Sequence, residues 1–368
     1  MTPLHLWLGT GLLGMGNLGQ LKGTMYITVI IALVIFVAFV AVVSLFISYA
    51  MGVELDPLSI LFGGFVLAII FMLIQFAISP YIVRATTRLR YLQPGENAWL
   101  EGTVSKLAQQ AGVKEPRLAI APDQTPNAFV FGNSSSNMTL TVNQGLLSAL
   151  SEDEIRGVIA HELGHIRHKD SIVMTFMSAI PLIAFLVVRM AFGFQVYGGG
   201  GRRGQRESGA GLIVLAGVVG LIVYFLSQLL VLRLSRLRES FADVFSGYLT
   251  TSPRSLESAL TRITYGLSLS PQDPHGARAL YISDPVLAKQ EIAEVMQQKS
   301  KYDLDHDGVL DEHELELAME AEAKSHWRTF NEAFATHPPT FKRILLLRQI
   351  DQEIQSRGTE SANIYSHI

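Results

Sequence analysis

The chain has 368 residues, 49% of them hydrophobic and 17% charged, with a formal net charge of −3. A mean hydropathy of +0.31 is too apolar for an ordinary water-soluble chain, and the scattered basic residues leave no electrostatic footprint for nucleic acid. Absence of cysteine excludes disulfides and suits a reducing compartment.

In chain order, residues 6–18 are apolar but short and broken by glycine, which predicts an interfacial segment or a disordered tail. Two charge-free stretches follow, 26–51 and 58–83, each at or above the roughly 18–20 residues that a spanning helix needs. The first is too long and too late for a cleaved signal peptide, so it reads as retained. The loop 52–57 carries Glu54 and Asp56 and no base, whereas Arg84, Arg88 and Arg90 crowd the exit of the second stretch. The positive-inside rule then puts both termini and the segment 84–170 on the cytoplasmic side of a multi-pass cell (inner or plasma) membrane protein. Arg189, Arg202, Arg203 and Arg206, in the connection between the later apolar stretches, oppose that orientation; the early spans outweigh them. A second hairpin that crosses the bilayer only in part would remove the conflict.

Residues 127–131 are apolar and aromatic and end at Gly132, and a polar loop over 133–137 leads into 138–142, so a β-hairpin is expected. By itself this hairpin is as readily a plain flap as a substrate-binding edge. Further on, Ser151 and Glu154 form a capping-box pattern, and Ile155, Val158 and Ile159 make the apolar stripe of the helix that it starts. Inside that helix come His161, Glu162 and His165. The two imidazoles are one turn apart on one face and can share a metal, while Glu162 beside them can activate a bound water. That is the layout of a zinc peptidase; the plain alternative is a solvated helix face with two histidines. Position 171 is Ser where the metzincin pattern needs a third His, which excludes that class. His168 reads as facing solvent or lipid headgroups beside Arg167 and Lys169.

Two more charge-free stretches, 171–188 and 209–232, form a hairpin whose outer ends emerge on one membrane face. A flexible glycine-rich loop is expected over 198–211. His165 lies six residues before the third stretch and Glu239 seven after the fourth. If both helices continue at 1.5 Å per residue, the two groups stand at nearly equal heights, roughly 9–11 Å beyond the stretch ends. Glu239 is therefore the preferred third ligand, completing a His2Glu set with an open fourth position, and Asp243 one turn on can orient a ligand imidazole. Alone, Glu239 would read as half of a surface salt bridge with Arg236 or Arg238.

Near the C-terminus, Asp303, Asp305, Asp307, Asp311 and Glu314 occupy positions 1, 3, 5, 9 and 12 of a twelve-residue loop with Gly308 at position 6. Val309 offers a backbone carbonyl and Leu310 is apolar, so the segment reads as an EF-hand Ca2+ loop, against the plainer reading of an acidic solvated turn. Its flanks, 285–301 and 312–327, carry apolar residues at helical spacing. His337 precedes two prolines, which pushes it to extended geometry and makes it, taken alone, a loop histidine. Residues 352–368 read as a fraying tail.

Several of these segments together resemble the HtpX-like membrane zinc peptidases, relatives of the prenyl-protein CAAX peptidases. They are the HELGHIRHKD run from His161 to Asp170, the Glu239 and Asp243 pair, Asn127-Ala-Phe-Val-Phe-Gly132, Leu140-Thr-Val142 leading to Gly145-Leu-Leu147, Thr336-His337-Pro338-Pro339 and Arg343-Ile344. The resemblance covers most of the chain. It implies His161, His165 and Glu239 as ligands of one Zn2+, Glu162 as general base and His337 as oxyanion stabiliser. It also implies that Asn127, Ala128, Phe129 and Val130 form a strand pairing with extended substrate, and that the protein clears damaged membrane proteins. The acidic loop departs from the family pattern, where a shorter connection is expected, so calcium regulation is not implied by it.

The expected fold is an α-helical membrane protein with four transmembrane helices and a small α+β zinc-peptidase domain, gluzincin-like, in the cytosol. Its segments are an N-terminal piece (1–25), a transmembrane hairpin (26–83), a peptidase segment with the two histidines (84–170), a second hairpin (171–232), a peptidase segment with the third ligand (233–284), the EF-hand (285–327) and a C-terminal part (328–368). The expected partners are extended or unfolded protein segments and the bilayer, with no nucleic acid. Three rival functions remain. A CAAX-type enzyme acting on lipidated C-termini would use more spans. A calcium-binding scaffold with a vestigial zinc site is opposed by the intact Glu162. A transporter is disfavoured because the spans hold no charged residue.

Overall fold

The computed structural model describes residues 18–51, 56–197, 207–269, 280–297, 299–306, 314, 317–318 and 332–357. Each charge-free stretch lies within one long helix: α1 (Leu18–Met51), α2 (Pro57–Thr87), α6 (Asp170–Tyr197) and α7 (Glu207–Thr250). A helix satisfies its own backbone donors and acceptors, which is what an apolar solvent demands. Two compact units emerge, one of Gly23–Ser79 with Ile172–Leu234, the other of Pro80–Ser171 with Ser235–Ile368 and Met1–Lys22.

In the first unit Ala32, Phe36, Met177, Ile180, Val231 and Leu234 pack together, and Phe76 stacks on Phe176 with ring centroids 6.0 Å apart. Phe62, Phe65, Leu73 and Ile74 point outward and exposed. So large an apolar surface suits lipid rather than water. The loop expected over 198–211 is shorter than composition suggested, because α7 starts at Glu207; residues 198–206 lie outside the described residues, as do 1–17 of the N-terminal piece.

The second unit holds a four-stranded sheet of order β1-β2-β4-β3, formed by β1 (Arg90–Tyr91), β2 (Arg117–Ala121), β3 (Ala128–Phe131) and β4 (Thr139–Asn143). The hairpin read from the sequence is β3 and β4, antiparallel with Val130 opposite Leu140; β2, parallel to β4, was not foreseen. Gly145 opens α4 (Gln144–Ala149) against the chain after β2: a Cβ there would lie 1.9 Å from the Gln124 carbonyl oxygen, so only glycine fits.

Helix α3 (Ala98–Ala111) is capped by the Asn97 side chain and ended by Gly112 in the left-handed conformation. Helix α5 (Glu152–Arg167) begins with the capping box foreseen at Ser151 and Glu154, whose side chain and backbone bonds measure 2.7 and 3.4 Å. Leu140, Val142, Leu146, Val158, Ile159 and Leu163 are buried in one core that also receives Leu256 and Leu260 of α8 (Pro253–Leu269). Gly157 lets α8 come close: a Cβ there would stand 2.8 Å from the Leu256 nitrogen.

Helix α9 (Pro285–Gln297), the short α10 (Lys299–Tyr302) and α11 (Thr340–Arg357) also belong to this unit. Ile292, Val295, Tyr302, Ala318, Phe341 and Ile344 form a separate small core. The tail expected from 352 is helical as far as Arg357, because Ile350 and Ile354 of α11 pack on the main core.

Candidate active site and metal centre

The rigid α5 carries His161 and His165 on one face, with their rings edge to face and centroids 4.7 Å apart. The C-terminal part of α7 brings Glu239 to them. Gly164 permits the approach: a Cβ there would already be 3.1 Å from the Phe245 ring and 3.3 Å from the Ala242 Cα. His161 Nε2 and His165 Nε2 are 3.1 Å apart, and Glu239 reaches the first through Oε2 at 3.3 Å and the second through Oε1 at 3.4 Å. One ligand atom from each of the three residues lies within 4.8 Å of the others, close enough for all three to share one ion. Glu239 Oε2 is buried and accepts no hydrogen bond from a described residue, an arrangement that a cation explains. The three residues therefore fit a metal ion.

Behind the donors stand the groups that hold them. His161 Nδ1 is 2.9 Å from Asp243 Oδ1. Asp243 is fully buried and receives Arg343 through Nε at 2.8 Å and a second guanidinium nitrogen at 2.7 Å. Arg343 also donates to the Ile282 carbonyl and lies 3.7 Å from Glu239. His165 Nδ1 is 2.7 Å from Asp170 Oδ2. The chain can deliver Asp170 there because Lys169 takes a left-handed turn, φ 58°, between α5 and α6. Arg238 in turn pairs with Asp170 and donates to the His168 carbonyl at 2.8 Å.

Sequence reasoning assigned no role to Asp170, Arg238 or Arg343. The available signals were Asp170 closing the HELGHIRHKD run and Arg343 in the Arg343-Ile344 pair; nothing linked Arg343 to Asp243, which lies 100 residues away. The expectation for His168 is corrected: it is half-buried, its ring edge-to-face on Phe241 at 4.5 Å and near Phe245 at 5.5 Å. The two phenylalanines belong to α7, which local sequence could not bring beside it.

Glu162 is buried, and that burial pushes its carboxyl up from the ordinary value, the direction that suits a proton acceptor. His337, also buried, reaches the same place, with Nε2 3.5 Å from Glu239 Oε1; burial pushes its imidazole down. Asn127 is buried and its side chain is held by the segment before α9. Its amide donates to the Leu280 carbonyl and accepts from the Ile282 N–H, both at 2.9 Å. Ala128 and Phe129 are buried and Val130 half-buried in β3, the edge of the sheet.

Residues 94–351 match Peptidase family M48. The chain belongs to this family. The Protease HtpX homolog of Aeropyrum pernix is 33% identical over 294 residues, which is 78% of this chain and 86% of that one. Protease HtpX homolog 1 of Streptomyces coelicolor is 39% identical over 238 residues, 60% of this chain and 76% of that one. The crystal structure of S. mikatae Ste24p aligns at a TM-score of 0.43 with 16% identity, over 88% of this chain and 66% of that one. M48 membership and the HtpX relatives, together with four apolar helices, support a membrane metallopeptidase.

A second group that can hold a cation comprises Asp303, Asp305 and Glu314, whose ligand atoms lie within 4.8 Å of one another. Glu314 is buried and its Oε1 accepts the N–H of Leu304 at 2.6 Å and of Asp305 at 3.3 Å. Asp307, Val309 and Asp311 lie outside the described residues.

Proposed function

We propose that this M48 chain is a zinc-dependent endopeptidase of the membrane that hydrolyses peptide bonds in extended or unfolded protein segments, misfolded membrane proteins among them. The carrying observation is the convergence of His161, His165 and Glu239, with one ligand atom from each within 4.8 Å of the others. Zinc held by these residues would supply Lewis acidity to a carbonyl and a water. Glu162 would take a proton from the attacking water, a step its raised affinity for a proton favours, and would return it to the more basic leaving amine. His337 donates to the oxygen on which charge develops. Asp243 and Asp170 fix the two imidazoles, each taking the Nδ1 side so that Nε2 faces the metal.

An edge strand recognises main chain with weak side-chain demands, which favours broad specificity. With the Asn127 side chain turned inward, the backbone of β3 rather than that amide is the element to meet a substrate. Arg84, Arg88 and Arg90 support a site facing the cytoplasm. The test is wild type against Glu162→Gln in detergent, with zinc per chain and β-casein cleavage measured. Glu162→Gln should keep zinc and lose cleavage, whereas His161→Ala, His165→Ala and Glu239→Ala should lose both. Cleavage that survives Glu162→Gln would defeat the reading.

The loop 303–314 binds calcium in this reading, supported by the convergence of Asp303, Asp305 and Glu314. A bound cation would relieve repulsion among these carboxylates and order the flanking helices, modulating the peptidase. Calorimetry on wild type and Glu314→Gln measures binding. Cleavage with free calcium buffered over about 10⁻⁷–10⁻⁵ M, at fixed free zinc, measures coupling. A flat rate across that range with calcium bound would leave the loop a structural staple.

A further inference from the structure

The segment carrying His337 is gripped on both sides by carboxylates, Asp284 just before α9 and Glu291 within it. Asp284, 1% exposed, stands immediately before that helix. Its Oδ1 accepts the N–H of Val286 at 3.0 Å and of Leu287 at 3.4 Å, which caps the helix. Its Oδ2 accepts the N–H of Thr336 at 3.2 Å and the Thr336 hydroxyl at 3.1 Å. Thr336 Oγ1 is in turn 2.9 Å from His337 Nδ1, on the side of the ring opposite the nitrogen that faces Glu239. Two turns along the same helix, Glu291 Oε1 accepts the N–H of Thr340 at 3.1 Å.

Between these grips lie His337, Pro338 and Pro339. The two prolines have no N–H and a fixed φ, so they form a stiff arm that cannot anchor itself by donating. Thr336 and Thr340 flank the arm and do donate, and α9 receives both. A helix cap alone needs one acceptor, which a neutral Ser or Asn supplies. The second oxygen of Asp284, accepting two further bonds from Thr336, needs a carboxylate, because an amide offers an acceptor on one side and only donors on the other.

We infer that Asp284, acting through Thr336, is a positioning residue that aims Nε2 of His337 at the reacting carbonyl, with Glu291 securing the far end of the arm. Thr336 gives its one hydroxyl proton to Asp284, so its oxygen accepts from His337 Nδ1. The inference rests on His337 being the oxyanion donor, which in this arrangement requires a proton on Nε2 as well. It also makes α9, the helix leading into the acidic loop, the mechanical support of the catalytic turn.

The test is a double-mutant cycle in the full chain, in detergent with zinc, reading kcat and KM for β-casein and zinc per chain. Asp284→Asn keeps the α9 cap, and Thr336→Val keeps the shape while removing the hydroxyl. Each should lower kcat about 10–100-fold, with KM and zinc content held, since a small misplacement of a catalytic group costs on this order. Thr336→Ser should restore turnover. In a His337→Phe background, Asp284→Asn and Thr336→Val should cause no further loss, because the group that they position is gone. Losses that multiply in that background, or a kcat unchanged in both single variants, would overturn the tether while leaving His337 its role. Wild-type turnover in His337→Phe would bring down the role of His337 and the tether with it. Should Asp284→Asn fail to fold, Thr336→Val carries the cycle alone.

Discussion

Replacing Arg343 should damage the protein more than replacing Arg343 and Asp243 together. Arg343 is 1% exposed and Asp243 is fully buried, with the two held by bonds of 2.8 and 2.7 Å. Arg343→Met leaves Asp243 charged with only the His161 imidazole beside it and no guanidinium. Removing one partner of such a pair costs about 3–5 kcal/mol. At about 2–4 °C per kcal/mol for a domain of this size, the thermal midpoint should fall by roughly 6–20 °C. Asp243→Asn removes the orphaned charge, so the double variant should recover a substantial part, a coupling of about 0.5–3 kcal/mol. Thermal scans on zinc-free protein isolate this effect from metal binding. Asp243→Asn should separately weaken zinc about 10–100-fold, because His161 loses its carboxylate. A double variant less stable than Arg343→Met by the whole Asp243→Asn loss would refute the electrostatic account.

Asp170→Asn should lower zinc affinity about 10–100-fold, measured by competition with a chelator, since it disturbs the 2.7 Å contact to His165 Nδ1. Ser151→Ala removes one side of the capping box of α5 and should cost about 1 kcal/mol, with zinc content unchanged. Gly145→Ala drives a methyl group into the Gln124 carbonyl, and should lower the midpoint by an amount matching about 1–3 kcal/mol of overpacking, read in the same scans.

Features confined to one segment were legible in the sequence. The capping box at Ser151, the pairing of 128–131 with 139–143 and the placement of His161 and His165 on one helical face all follow from periodicity within a few residues. Glu239 was reachable because charge-free lengths fix where helices begin and end. What stayed hidden depends on partners far along the chain. Arg343 meets Asp243 across 100 residues, Asp284 meets Thr336 across 52, and Asn127 clamps Leu280 across 153. His168 was misread for the same reason, since the aromatic rings that shelter it are on α7. β2 escaped because its parallel pairing with β4 leaves no hairpin signature in the sequence.

Gly164 touches no ligand atom, yet it fixes how closely α7 can lie against α5. The span between donors limits which ion they could all reach at its preferred bond length, and that span depends here on a missing methyl group. Selectivity among divalent cations is consequently a property of helix spacing as much as of donor chemistry. A Gly164→Ala chain keeps every ligand but must move its neighbours by a few tenths of an ångström, loosening the cage toward larger ions. Competition between zinc and manganese, compared with wild type, reads this directly: an unchanged preference ratio would mean that the ligands alone choose the ion.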